Sequence, residues 1–257
     1  VAWNEVEVLI QADKMAKYKA NQNTERLAIN PELFKDTITL NVTLRPEESK
    51  KISDMLIGVF FEDINYGADG GLYAELVQNR DFEYSPNDIG REENWTATNS
   101  WTTGGESLSF DIDTVAPLHA HNPHYAVLDI KEKGHGLVND GFDGIPVKTG
   151  EKYDFSVFAR STNNKRGKII VRLLDEDGKV IGEARTGKIS KTWNKLSAVV
   201  EATASTVNGR IEVIPNMEGK VDLDMVSLFP QKTFKNRKNG MRADLAQAIA
   251  DIHPRFV

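Results

Sequence analysis

YDFSVFAR at 153–160 and KIIVRLLD at 168–175 decide the fold class of this chain. In the first, Tyr153, Phe155 and Val157 alternate with Asp154, Ser156 and Phe158, the two-residue period of a strand with one face in a core. The second is followed by DEDGK, where Gly178 supplies the positive φ that a tight hairpin turn needs. Working outward, NKLSAVVEA at 194–202, GRIEVIP at 209–215 and VDLDMVSLF at 221–229 add three more strands at regular spacing. Short strands separated by Gly, Asn and Asp turns predict a two-sheet sandwich over residues 82–229.

On either side of this block the pattern changes. The run MLIGVFF at 55–61 is apolar on both faces, as in a strand buried between two layers. The glycine-rich loop GADGG at 67–71 follows, and LYAELVQN at 72–79 places Leu72, Leu76 and Val77 on one helical face. Together they predict a βα unit over 46–81. Beyond the block, KTFKNRKNG reads as a polar linker. Met241, Leu245, Ala248, Ile249 and Ile252 then form a helical stripe, and Arg255-Phe256-Val257 looks like the start of another buried strand. The simplest organisation is a β-sandwich inserted into the first turn of a β/α domain, with residues 230–257 as linker and helix. Residues 1–45 read as N-terminal strands, with the tail of an upstream domain as one reading of them; Val6, Val8 and Ile10 alternate, and Ile38, Leu40, Val42 and Leu44 alternate up to Arg45-Pro46.

Composition narrows the function. The chain has 257 residues, 40% of them apolar, enough to bury a core. Its 38 acidic and 32 basic residues are spread along the chain, so no basic stripe points to nucleic acid. No apolar run approaches the ~20 residues that span a bilayer. The absence of cysteine excludes disulfides and thiol chemistry but leaves the compartment open.

The string ISDMLIGVFFEDINYGADGGLYAELVQNRDFEY at 52–84 resembles the opening of the catalytic barrel of glycoside hydrolase family 51 α-L-arabinofuranosidases. NRKNGMRADLAQAIADIHPRFV at 236–257 is similar to that family's first helix and the start of its second strand. The resemblance implies a mainly β chain: a jelly-roll β-sandwich inserted into the first βα unit of an incomplete (β/α)8 barrel. It implies that Glu62 contacts substrate hydroxyls, with Asp63 and Asn65 as neighbours in the same substrate-binding loop. Retaining glycosidases need two carboxyl groups ~5 Å apart, and the family places both downstream, so no catalytic residue is expected within this chain. Glu62 and Asp63 cannot serve as that pair, because adjacent residues leaving a strand point in different directions. The implied partners are an arabinose-containing plant polysaccharide and the remainder of the barrel, and the implied location is secreted or periplasmic. A stand-alone binding module and a structural spacer are the alternatives.

The β block resembles carbohydrate-binding modules of families 4 and 9 through LVQNRDFEY, GEKYDFSVFAR and VDLDMVSLF. That resemblance implies a structural calcium ion, for which Glu83 and Asp224 supply hard oxygens where the two ends of the module meet, and no cofactor for catalysis. Sugar rings pack on exposed aromatic faces, and Trp95, Trp101 and Tyr125 are the candidates, while Trp193 in KTWNKLS resembles a core tryptophan. His119, His121 and His124 lack a fourth ligand at zinc spacing, and a loop location explains them.

Overall fold

The computed structural model describes residues 41–64, 66–85, 95–163 and 167–257. It divides into two compact units, Val1–Leu56 and Ile57–Val257. In the first, the described residues hold one 3-10 turn, Pro46–Glu48, with an Arg45–Glu48 ion pair at 2.9 Å. Residues 41–44 form no strand, and the expected strands at 6–10 and 38–40 lie outside the described residues.

The second unit is a two-sheet antiparallel sandwich. Its strands are β1 (Trp101–Thr103), β2 (Leu108–Asp113), β3 (Tyr125–Ile130), β4 (Leu137–Asn139), β5 (Ile145–Val147) and β6 (Lys152–Arg160). They continue with β7 (Lys168–Leu174), β8 (Val180–Lys188), β9 (Asn194–Glu201), β10 (Thr206–Pro215) and β11 (Gly219–Pro230). One sheet runs β1-β4-β10-β7-β8, with β5 also on β10, and the other β2-β3-β11-β6-β9. Neighbours distant in sequence, such as β3 beside β11, are what jelly-roll crossovers produce.

Alternation generates the core. On β6 the odd positions Tyr153, Phe155, Val157 and Ala159 are buried, and on β7 Ile169, Val171 and Leu173 face them from the other sheet. The expected hairpin between β7 and β8 is present: Gly178 has φ +80°, and the Asp175 carboxylate accepts from the N–H groups of Asp177 and Lys179.

Several expectations fail, the buried strand expected to start at Arg255-Phe256-Val257 among them, since those residues are exposed and form no strand. Residues 72–79 are not helical. Ala74 donates to Gly240 and Leu76 to Leu228, so the segment spends its backbone groups on neighbouring chain instead of on itself. Glu75 fixes this arrangement. It is fully buried, and its Oε1 accepts from the N–H groups of Leu76, Val77 and Leu228, while Oε2 accepts from the Ser227 hydroxyl at 2.6 Å and from Arg80. An amphipathic spacing fits a helix and a buried extended segment equally, and here the buried carboxylate selects the second. The run 55–61 is likewise neither strand nor buried, with Phe60 87% exposed.

Segments flanking the sandwich lie side by side. The Arg255 N–H donates to Ile57 C=O at 2.9 Å and Val59 N–H to Phe256 C=O at 3.0 Å, partners that advance together as in parallel chains. Tyr73 bridges Met241, and Arg242 N–H donates to Leu72 C=O. The helix α1 (Ala243–Asp251) then forms where the apolar stripe predicts one.

Glu75→Gln replaces one acceptor oxygen of this buried carboxylate with a donor that faces the Ser227 hydroxyl and Arg80. A loss of about 2–4 kcal/mol in stability is expected. Urea unfolding of both proteins checks it, and equal midpoints would contradict the role given to Glu75.

Candidate functional site

The entrance of the sandwich, residues 79–84, and the bulge on β11 converge on an acidic cleft. Between Asp224 and Ser227 the β11–β6 register shifts, Met225 takes φ +50°, and Val226 N–H donates to Arg80 C=O at 2.8 Å. The bulge thereby docks the entrance segment and turns Asp224 inward. Its residue is fully buried, Oδ1 accepts from Met225 N–H at 2.7 Å, and Oδ2 has no hydrogen-bond partner. Burial, with the nearby charges of Asp81 and Glu83, pushes the Asp224 carboxyl up to about 7.

Glu83 sits beside it and accepts from His124 N–H at 2.9 Å, with its other oxygen 2.5 Å from His124 Nδ1. A cleft of about 390 Å³ opens here, lined by Asp69, Asn79, Arg80, Asp81, Glu83 and Tyr84 together with Phe142. Burial also raises the Asp69 carboxyl above its ordinary value, against the pull of Arg80. Tyr84 stacks on Trp95, with centroids 4.6 Å apart and planes 7° from parallel.

The structure thus brings Glu83 and Asp224 together, as expected of the two ends of the module. Both are hard oxygen donors of the kind calcium takes, and one Asp224 oxygen is buried without a partner, while both Glu83 oxygens contact His124. Among the described residues no three His, Cys, Asp or Glu side chains form a metal-holding group, so backbone carbonyls would have to supply the remaining ligands.

The aromatic candidates separate. Trp95 is half-buried at the acidic end of the molecule, through its stack on Tyr84. Trp101 is a correction: it is 4% exposed, packs on Phe82 with centroids 5.3 Å apart and donates from Nε1 to Asn79 C=O at 2.8 Å, so its faces belong to the core. Tyr125 is also a correction, at 2% exposed, covered by Arg160 and by an edge contact with Trp193. Trp193, expected in the core, is only half-buried, with the Arg160 guanidinium 4.4 Å from its ring centre.

The loop after residue 61 is open. The Glu62 and Asp63 side chains are exposed, and Asn65 lies outside the described residues. Asp63 has a local task, since its Oδ1 accepts from Ala68 N–H at 2.8 Å and closes the glycine-rich loop. Sequence reasoning missed Asp69, Asp81 and Tyr84, which lie in GADGG and RDFEY beside residues it did select.

Comparison with known proteins places this geometry. A family profile described as "Carbohydrate binding domain", for families 4 and 9, matches residues 74–217, more than half of the chain. The chain belongs to this carbohydrate-binding domain family. The match begins at Ala74, so the Glu75 segment goes with the sandwich instead of with a preceding helix.

An extracellular exo-α-L-arabinofuranosidase of Streptomyces chartreusis is 40% identical over 224 residues, covering 86% of this chain and 26% of that protein. Alpha-L-arabinofuranosidase 1 of Arabidopsis thaliana is 31% identical over 242 residues, covering 87% and 33%. An arabinose-bound α-L-arabinofuranosidase structure of glycoside hydrolase family 51 aligns with a TM-score of 0.68 at 30% identity, over 79% of this chain and 34% of that one. The chain therefore spans about a quarter to a third of the length of these relatives. Among the described residues no helix is long and apolar enough to cross a membrane.

A folded-state pKa above the unfolded value makes the native state the better proton binder. The stability tied to Asp224 is complete below about pH 4 and is lost as pH rises through about 7. In chelator, unfolding free energy is expected to fall over that window, and Asp224→Asn to flatten the fall. An identical pH slope in the variant would refute it.

Proposed function

We propose that this chain is the N-terminal, non-catalytic portion of an exported α-L-arabinofuranosidase-like glycoside hydrolase acting on arabinose-containing plant polysaccharide. The observation that carries the reading is the pairing of Ile57–Val59 with Arg255–Phe256. Two adjacent parallel segments, one leading into Glu62 and the other following a helix, are what the first two strands of a β/α barrel require. The exposed Ile57, Phe60, Phe61, Ile64 and Phe256 supply apolar surface for the rest of such a barrel to cover. Its relatives, of which this chain covers 26% and 33%, support the presence of that partner. Glu62 then presents a carboxylate at the carboxyl end of the first strand, where it accepts hydrogen bonds from sugar hydroxyls without taking part in bond breaking.

Neither an acid/base nor a nucleophile is supplied by this portion. The purified chain is expected to release no aryl group from an aryl arabinofuranoside, while Glu62→Gln in the full-length protein raises KM and lowers kcat/KM by roughly 10²-fold. Turnover by the chain alone, or an unaltered KM in the full-length variant, would overturn the assignment.

The sandwich reads as the sugar-holding part, with the Tyr84 cleft as its site and Trp95 supporting the Tyr84 ring by stacking. Asp69 and Asp81 offer oxygen acceptors for hydroxyl groups, while the buried Asn79 amide, bonded to Ala97, Asn99 and Tyr84, shapes the floor. In affinity electrophoresis, an arabinan or arabinoxylan gel is expected to retard the chain, and Trp95→Ala to lose that retardation. Undiminished retardation of the variant would move the site elsewhere, and no retardation of the parent would favour a spacer.

Calcium would be held between Glu83 and Asp224, with backbone carbonyls completing its shell. When bound it would supply the positive charge that these carboxylates and Asp81 lack, stitching the entrance of the module to β11. Millimolar calcium at neutral pH is expected to raise Tm relative to chelator, and Asp224→Asn to remove the increment. A chelator-insensitive Tm in the parent protein would exclude the ion.

A further inference from the structure

The sheet β2-β3-β11-β6-β9 has a second face, turned away from the core, and it carries a groove of about 290 Å³. Asp154 and Ser156 of β6 and Lys195, Ser197 and Val199 of β9 point into it, the positions that alternate with the buried Tyr153, Phe155, Leu196 and Val200. Ser156 and Ser197 face each other in register. Lys238 and Asn239 overhang the groove from the turn after β11. That turn is held in place: Phe234 N–H donates to Met241 C=O at 2.9 Å, Thr233 pairs with Arg242, and the Thr233 hydroxyl donates to Arg237 C=O.

The charges in the groove are unbalanced. Lys195 Nζ lies 5.8 Å from the Phe158 ring centre, and among the described residues neither the Lys195 nor the Lys238 ammonium group makes an ion pair or hydrogen bond. Asp154 is the acid in the lining, and its Oδ1 already accepts from Gln231 Nε2 at 2.7 Å. Two uncommitted ammonium groups therefore flank paired hydroxyls, on a chain whose net charge is −6. The molecule as a whole repels a polyanion, so an acidic ligand held here is held by this local arrangement.

We propose that the groove binds a saccharide bearing a uronic acid, its carboxylate between Lys195 and Lys238 and its ring hydroxyls on Ser156 and Ser197. The assignment rests on the carbohydrate-binding reading above and adds a second subsite of different chemistry. The acidic cleft around Asp81 excludes carboxylated sugars, and this groove selects them.

The test is calorimetric titration of the 257-residue chain. The probes are trigalacturonic acid and a glucuronic-acid-substituted xylotriose, each against its carboxyl-reduced counterpart. At least one acid probe is expected to bind roughly ten-fold or more tightly than its reduced form, consistent with a charge-assisted hydrogen bond. Lys195→Gln and Lys238→Gln should each remove about that factor, added salt should weaken binding, and Lys131→Gln, an exposed lysine paired with Asp129, should change nothing. Neutral arabinan retardation should survive both groove variants. If arabinan binding persists in the parent chain while neither acid probe outbinds its reduced form, this inference falls and the sugar-binding reading stands. If Lys131→Gln weakens binding as much as the groove variants do, the effect is net charge and the inference also falls. If no saccharide of either kind binds, both fall.

Discussion

One buried carboxylate organises the junction on which this molecule depends. Glu75 is removed from water yet surrounded by donors: three backbone N–H groups, the Ser227 hydroxyl and Arg80. Burial pushes its carboxyl above the ordinary range while the Ser227 and Leu228 contacts pull it down. Removing such a group's donors leaves a buried charge without compensation, so the geometry tolerates little variation. Because Leu228 belongs to the last strand and Leu76 to the segment entering the sandwich, this side chain is where the beginning of the module recognises its end. Asn139 repeats the logic on the other sheet, exchanging hydrogen bonds with the backbone of Gln78.

The same junction explains the chemistry next to it. Once residues 74–79 are fixed along β11, Arg80 C=O takes the Val226 N–H from the bulge, and Asp224 is left facing inward with Asp81 and Glu83 near it. Carboxylates gathered at a fold closure cost stability unless something positive joins them, which makes the closure and the candidate calcium site one structural problem. Tyr84 and its stacking partner Trp95 follow directly from that closure, so the candidate sugar cleft inherits its shape from the way the ends meet.

Much of this was legible in the sequence. The alternation in 153–160 and 168–175, the Asp175–Lys179 turn and the helix near 243–251 carry their periodicities openly, and each is found where the pattern places it. Glu83 and Asp224 could be paired because they flank opposite ends of one module. Residues 72–79 were misread because Leu72, Leu76 and Val77 satisfy helical spacing, and nothing local reveals that Glu75 finds its donors 152 and 153 residues away. Trp101 was misread for a related reason: its polar neighbours Thr98, Asn99 and Ser100 suggest surface, yet the ring itself is what β1 buries. Composition around an aromatic side chain reports on its neighbours and not on its own direction.

The narrow neck formed by Leu72–Ala74 and Gly240–Arg242 has an evolutionary corollary. A module whose two connections leave at adjacent points occupies almost no space in its host's chain path, whatever its own size. Such a cassette is free to grow, shrink or be exchanged between hosts while the flanking architecture keeps its geometry. Selection can then act on the cassette and on the flanking chain as separable traits.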